Sequence, residues 1–421
     1  MRDYLPSELR KRRYVEAVLR ELFRLYGYEE VETPTVEHYE LLAAKAGEDT
    51  RKAMYAFKDL GGRMVALRPE GTAPIARLVA TKLRTAPKPL RLGYIWDFYR
   101  YDEPQLGRFR RFYQGGFELL GASKPEADAE VLILAIDLIK RLGFKAFFLK
   151  VGNVNVLRVI LATAGLGEDD QNFILGLADK KRYDEALTRL RELKVPDQTV
   201  ELVSTLFKTR GSRVVEVIET GTRLVKDYEG AVKALEALKT VVGIASTVFP
   251  DVEFHVDLGF ARGLEYYTGL IFEVFVKGLD IAVIGGGRYD KLVELYGGEV
   301  TPAVGCSPGI DRITIAMDRE GLLKLEDVVK GVYIVPTKSE LLGTAMSVAY
   351  KLRVEDLPAE VEVEGRGVSK ALAYANSKGF PYVIILGAEE IREGKVILRD
   401  MRVKSQRTLR VEELAEATKS E

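Results

Sequence analysis

The chain of 421 residues holds one cysteine, Cys306, and two histidines, His38 and His255. A single cysteine excludes an internal disulfide framework. Two histidines and one cysteine cannot build the usual structural zinc sites. A Ser-His-Asp or Cys-His catalytic unit is equally hard to assemble. Chemistry is therefore expected to run on Arg, Glu, Asp, Tyr and bound metal. No apolar run approaches the ~18–20 residues that span a bilayer. The opening "MRDYLPSELRKRR" lacks the apolar core of a signal peptide. A cytoplasmic location with no membrane partner is the expectation. Basic and acidic residues number 63 each, which removes the net positive charge usual in a small DNA-binding domain. DNA is not an expected partner. RNA recognition through shape and local patches stays open.

What is present is 47% hydrophobic and 30% charged, the balance of a soluble globular protein with room for two or three domains. Residues 7–26 have helical spacing, with Val15, Val18, Leu19, Leu22, Phe23 and Tyr26 on one stripe, Ser7 as a cap and Gly27 as a stop. "YEEVETPT", "MVALRPEG", "LRLGYIWDFYR" and "FRRFYQGGFELLG" read as strands separated by turns. A second helix is expected over 125–142, ended by Gly143. Strands followed by helices without regular alternation predict an α+β fold with a mostly antiparallel sheet. Residues 160–245 are rich in Ala, Leu, Glu and Lys and read as a mainly helical insertion. From about residue 329, strand-like and helical segments alternate, which predicts a small α/β domain with largely parallel strands. The expected division is 1–326, interrupted by the insertion, and 327–421.

Five segments carry residue types suited to chemistry. "FYRYDEPQLGRFRRFYQGGFE" (98–118) interleaves Arg100, Arg108, Arg110 and Arg111 with aromatics across an expected turn at Pro104–Gly107. Alternation places Arg108, Arg110, Phe112 and Gln114 on one face, with Glu118 farther in. Guanidinium forks suit phosphate and an aromatic suits a base, although a solvated hairpin has the same pattern. "RPEGT" (68–72) sets a carboxylate beside a hydroxyl, a pair that can hold an ammonium group or simply decorate a turn. "ARGLEYYTG" (261–269) groups an arginine, a glutamate and two tyrosines between glycines. "IGGGRYD" (284–290) permits close backbone approach and fits neither the Rossmann nor the P-loop pattern. "GCSPGIDRITIAMD" (305–318) puts Arg312 in the first turn of a helix. That arrangement favours an anion, or is an ordinary amphipathic helix.

In this order the segments resemble the class II aminoacyl-tRNA synthetases. "GYEEVETPTVE" resembles motif 1, with Pro34 as its proline. "FYRYDEPQLGRFRRFYQ" resembles motif 2, and "GCSPGIDRI" motif 3. "RPEGT", "RGLEYYTG" and "GGGRYD" resemble the signatures of the histidine subfamily, and "KALAYANSKGFPYVIILG" its anticodon-binding domain. The resemblance implies a homodimer that activates L-histidine with ATP and Mg²⁺ and transfers it to histidine tRNA. It implies that Arg100 and Arg262 act at the reacting phosphate and substrate carboxylate. It gives Arg312 and Arg108 to the polyphosphate and Phe112 to adenine. Glu70, Gly71, Thr72 and Gln114 fall at the α-ammonium end, and Glu118, Tyr266 and Tyr267 at the imidazole. Strict alternation allows only one of the two tyrosines on the side of Arg262, so both reach substrate only from a bent loop with its glycines as pivots. Asp102, Glu103, Glu265 and Pro308 depart from the family pattern, at positions that touch tRNA and adenine contacts rather than the chemistry.

Three other readings compete. A histidine sensor like the regulatory subunit of ATP phosphoribosyltransferase shares the catalytic fold but lacks the C-terminal domain. A threonine or proline synthetase shares that domain but lacks "RGLEYYTG". A pure RNA-binding scaffold predicts broken ATP contacts.

Overall fold

The computed structural model describes residues 1–103, 106–262, 265–323 and 331–419. The chain divides into two compact units, Met1–Lys324 and Leu325–Glu421. The expected junction at 326/327 lies outside the described residues, as do the first two residues of the expected turn at Pro104–Gly107.

The first unit is built on a nine-stranded sheet. In spatial order its strands are Glu29–Glu30, Leu90–Tyr99, Arg111–Leu120, Ala303–Pro308, Ile284–Arg288, Leu270–Val276, Phe147–Asn153, Glu253–Asp257 and Arg210–Gly211. Neighbours run antiparallel except for two parallel pairs, one near each edge. The mostly antiparallel α+β expectation holds. Helix Pro6–Tyr26 covers one face, where Leu19 and Phe23 pack into the space that Gly115 and Gly93 leave open. The helix begins at Pro6, one residue before the expected cap. Ser7 does not cap it: Pro6 supplies a preset φ at the first position, and the Glu8 carboxylate accepts the Leu5 N–H at 3.0 Å. Gly27 ends the helix with φ +72°, a conformation that favours glycine.

Cross-strand register fixes the opposite face, which carries the site. Leu92 stands opposite Glu118, Tyr94 opposite Gly116, Trp96 opposite Gln114 and Phe98 opposite Phe112. The next strands continue these rows: Glu118 faces Gly305, Gly305 faces Gly287, and Ser307 faces Gly285, which faces Glu273. The middle of the sheet is thus a floor of small residues with large polar ones at its rim. Six helices from Asn155–Thr163 to Glu229–Val248 make up the mainly helical segment. Its last helix packs along helix Pro125–Arg141 and buries Leu235, Leu238 and Val242 in the core.

The second unit has a five-stranded sheet in the order Ala359–Val361, Val332–Pro336, Tyr382–Leu386, Lys395–Asp400, Gln406–Arg410. The first three strands are parallel and the last two antiparallel. The expectation of largely parallel strands therefore fails for half of the pairings. The cause is connection length. A parallel return needs a crossover of about a dozen residues or more, and only residues 387–394 separate Leu386 from Lys395.

Candidate active site

A cavity of about 440 Å³ lies over the glycine floor. Its lining draws together Glu70, Gly71, Thr72, Arg100, Arg108, Phe112, Gln114, Arg262, Tyr266, Tyr267 and Arg312, which come from four of the five singled-out segments, and the fifth contributes Ile284, Gly285 and Tyr289. Glu118 is not among the lining residues. It lies just beneath, 1% exposed, with Thr72 and Tyr289 between it and the open space. Arg110 also stays out of the cavity and lies over the Tyr101 ring at 4.1 Å. Alternation fails there because the strand starts only at Arg111. Phe112 and Gln114 keep the expected face.

The arginines are held in an unusual way. Arg100 donates to the Pro69 carbonyl at 2.8 Å, Arg262 to the Phe272 carbonyl at 3.2 Å, and Arg312 to the carbonyls of Gly107 and Ala282 at 3.1 and 2.9 Å. Backbone oxygens orient these guanidiniums without neutralising them. Glu273 approaches Arg262 only to 3.9 Å. The Arg312 pKa is lowered to about 10, first by burial and then by repulsion from Arg108, Arg100 and Arg262. Burial likewise lowers that of Arg100. A cluster of like charges built this way is suited to a polyanion.

The glycines of "IGGGRYD" serve the protein's own side chains. A Cβ on Gly285 would lie 2.0 Å from Arg262 Nη1, and one on Gly287 would lie 2.8 Å from the Tyr267 ring. Close approach of the backbone to ligand was the expectation; here the room goes to an arginine and a tyrosine that wall the cavity. Arg288 of the same segment is structural: it bonds Asp128 and Asp290 in a buried network behind the floor.

At the other end of the cavity, the Glu70 carboxylate accepts the N–H groups of Thr72 and Ala73 at 2.7 and 2.9 Å. It thereby caps helix Thr72–Thr81. Burial pushes its carboxyl up, against the pull of these two donors. Gly71 leaves room for the Tyr94 ring, which a Cβ would meet at 2.3 Å. Thr72 Oγ1 donates to Glu118 Oε1 at 3.1 Å, and the Tyr289 hydroxyl donates to Glu118 Oε2 through a short bond. Gly305 makes this carboxylate position possible, since a Cβ there would lie 1.7 Å from Oε2. Burial pushes the Glu118 carboxyl up to about 8, although both hydroxyls pull it down; Glu70 adds repulsion.

Tyr266 and Tyr267 lie in a turn before strand Leu270–Val276, both buried, their rings 4.9 Å apart. Both line the cavity, so residues 265–269 do not follow strand alternation. Gly263, one of the expected pivots, lies outside the described residues. Gly269 is no left-handed pivot; it makes room for the Arg288 side chain. Two residues escaped the sequence reading. Tyr289 sits inside a quoted segment but received no role. Asp311, beside Arg312, accepts from Arg2, Tyr4 and the Tyr113 N–H. Only nonlocal pairing reveals either.

An antiparallel sheet bearing arginines that converge beside a carboxylate-lined recess is the catalytic architecture of a class II aminoacyl-tRNA synthetase. Residues 1–313 match the histidyl-tRNA synthetase family model, and residues 331–421 match an anticodon-binding domain. The chain is 43% identical to a histidine–tRNA ligase of Methanocaldococcus jannaschii, covering 98% of this chain and 97% of the relative. It is 36% identical to that of Pyrococcus furiosus, covering 100% and 97%. Among solved structures, histidyl-tRNA synthetase from Nostoc superposes with a TM-score of 0.75 at 25% identity, covering 99% of this chain and 97% of that one. A Bacillus halodurans protein described as an ATP phosphoribosyltransferase regulatory subunit/histidyl-tRNA synthetase gives 0.77 at 27% identity, with coverage of 92% and 97%. The chain belongs to the histidyl-tRNA synthetase family.

Proposed function

We propose that the chain is a histidine–tRNA ligase whose cavity performs both half-reactions. A histidine carboxylate oxygen attacks the α-phosphorus of ATP. The bond to the bridging oxygen breaks, and pyrophosphate leaves. A hydroxyl of the terminal ribose of histidine tRNA then attacks the acyl carbonyl, and AMP leaves. Neither step needs a protein nucleophile. Both need positioning and charge stabilisation, in keeping with a chain poor in His and Cys.

In this reading Arg100 and Arg262 hold the α-phosphate and the substrate carboxylate, while Arg312 and Arg108 hold the outer phosphates. Phe112 stacks on adenine. Glu70 and Thr72, with Gly71 and Gln114 beside them, receive the α-ammonium. Glu118, through its own oxygens or through Thr72 and Tyr289, sets the polarity that Tyr266 and Tyr267 present to the imidazole. An imidazole offers a donor and an acceptor, which a carboxylate and a phenol can match.

No cluster of three His, Cys, Asp or Glu suited to a metal occurs among the described residues. Glu70 and Asp311 are already committed to N–H and hydroxyl donors. The other carboxylates of the lining are Asp49, Asp102, Asp179 and Glu273, the last beside Arg262. Mg²⁺ binds typically through one or two carboxylates plus phosphates and waters, so in this reading it would be held by the ATP phosphates with a lining carboxylate such as Glu273, and would supply neutralisation of the polyphosphate charge. The basic strands of residues 395–410, with Gln406–Arg410 at the sheet edge, supply phosphate contacts to the tRNA. A homodimer and a cytoplasmic location complete the proposal, and sedimentation tests the dimer.

The observation that carries the reading is the set of four arginines on one cavity, three of them oriented by backbone carbonyls, with a buried carboxylate at the far end. A histidine sensor has no need of these ATP contacts. The test is ATP–pyrophosphate exchange by the purified chain. Exchange is expected with histidine. Exchange with another amino acid alone overturns the subfamily, and exchange with none overturns the enzyme.

A further inference from the structure

The N-terminal residues are tied to the phosphate end of the cavity. Arg2 Nη2 donates to Asp311 Oδ1 at 2.9 Å, and the Tyr4 hydroxyl donates to the same oxygen at 2.6 Å. The second oxygen of Asp311 accepts the Tyr113 N–H at 2.7 Å. The Arg2 guanidinium lies 4.1 Å from the Phe109 ring centre and 4.6 Å from that of Tyr4. Arg12 closes the stack over Tyr4 and Tyr113 at 4.7 and 3.9 Å. Asp311 is 4% exposed at its side chain, whereas Arg2 is 34% exposed.

These contacts bridge two separate walls. Phe109 belongs to the loop that carries Arg108. Asp311 opens helix Ile310–Arg319 immediately before Arg312, and through Tyr113 it pins that helix to strand Arg111–Leu120. Phe109, Tyr113 and Asp311 all line the cavity. Arg108 and Arg312 repel each other, and besides the Arg2 contacts the bond from Arg312 Nε to the Gly107 carbonyl at 3.1 Å joins the helix to the loop. We propose that Arg2 and Tyr4 are positioning residues for ATP, latching the Arg108 loop to the Arg312 helix so that both guanidiniums are preset for the polyphosphate. Neither residue touches the histidine end. Presetting raises affinity by removing the ordering cost from the binding step. The inference rests on the ATP assignment above.

The test compares Arg2→Ala, Arg2→Lys and Tyr4→Phe with Arg20→Ala, which breaks the exposed pair of Arg20 with Glu30 at 3.0 Å and its longer 3.9 Å approach to Glu16, and contacts neither Arg2 nor Asp311. KM values for ATP and for histidine come from exchange kinetics, ATP affinity from calorimetry without histidine, and stability from thermal unfolding. Arg2→Ala is expected to raise KM for ATP and weaken ATP binding roughly tenfold. KM for histidine should stay within about twofold. Arg2→Lys should recover part of the loss because it keeps the ion pair without the stacked plane. Tyr4→Phe should give a smaller loss of the same kind, and Arg20→Ala none. Unchanged ATP affinity in Arg2→Ala overturns the latch, as does an equal rise in both KM values that tracks a drop in melting temperature. Failure of the wild type to exchange with histidine sinks the functional reading instead, and the calorimetric arm still decides the latch.

Discussion

The Tyr289 hydroxyl donates to Glu118 Oε2, joining residues 171 positions apart beneath the floor of the cavity. Thr72 takes the other oxygen. A fully buried carboxyl group with two hydroxyl donors and no cation in contact among the described residues has its polarity set by neutral groups. Tyr94, Tyr266, Tyr267 and Cys306 surround it as well, with Glu70 as the nearest like charge. Glu118→Gln keeps the shape but puts an amide NH2, which cannot accept, where Thr72 or Tyr289 now finds an acceptor oxygen. We predict a loss of up to roughly 10²-fold in kcat/KM for histidine, the order set by the cost of about 1–3 kcal/mol for leaving a buried polar partner unsatisfied. ATP affinity should change less than about threefold, because the arginine end is untouched. Exchange kinetics varied in each substrate separate the two. Unaltered histidine kinetics would remove Glu118 from recognition.

The same group makes stability pH-dependent. Its ordinary value of 4.5 rises to about 8 on burial. Between these limits the folded state keeps a proton that the unfolded chain has released. Stability contributed by this group therefore falls as pH rises from 4.5 to 8. Asp128, raised by burial to about 6 despite Arg288, acts in the same direction at lower pH. Glu118→Gln should remove up to one proton from the slope, about 1.4 kcal/mol per pH unit. Urea unfolding of ligand-free wild type and variant at pH 5, 6.5 and 8 should show curves that diverge toward pH 8. Parallel curves would mean that Glu118 is already ionised when folded.

Much of the site could be read from local chemistry, and the unread part is nonlocal. Arg100, Arg262 and Arg312 stand in segments whose composition alone marks them. Helices 7–26 and 125–142 follow from periodicity and a terminal glycine. The function of Gly285 and Gly305 is invisible in the chain, because it depends on which strand lies alongside. Gly285 meets Arg262 only after register places it beside Glu273. Arg110 was misread because alternation counts from the first residue of a strand, and Arg111 begins it. Asp311 looked like part of a helix start. Its partners, Arg2 and Tyr4, lie some 300 positions away.

Arg312 is where binding and stability oppose each other. Burial and three neighbouring guanidiniums disfavour its charge, which lowers its pKa to about 10. Its hydrogen bonds run to carbonyls of Gly107 and Ala282. Arg312→Met keeps the stem and removes the charge. We predict that the ligand-free variant melts at or above the wild-type temperature, because repulsion is relieved. ATP should then stabilise it far less, with KM for ATP raised roughly 10–100-fold. Thermal shift with and without ATP measures both. A variant that melts several degrees lower without ATP would show that the two carbonyl bonds outweigh the repulsion.

Gly285→Ala tests the floor itself. The added Cβ would fall 2.0 Å from Arg262 Nη1 and 2.4 Å from Nη2, so the guanidinium must move. The backbone at this position belongs to strand Ile284–Arg288 and tolerates alanine conformationally. The cost therefore falls on Arg262, held by the Phe272 carbonyl on the adjacent strand and facing the Tyr267 ring at 5.9 Å. If Arg262 stabilises the transferring phosphate as proposed, a displacement of about an ångström lowers the rate by roughly 10²-fold. We predict a fall of that size in kcat for exchange, with KM for ATP and histidine changed much less. Melting should drop by only a few degrees. Gly243→Ala serves as the control: it lies in helix Glu229–Val248 with nothing within 4 Å of its Cβ, so alanine there should leave kcat unchanged. Wild-type kcat in Gly285→Ala would show that Arg262 works from more than one position.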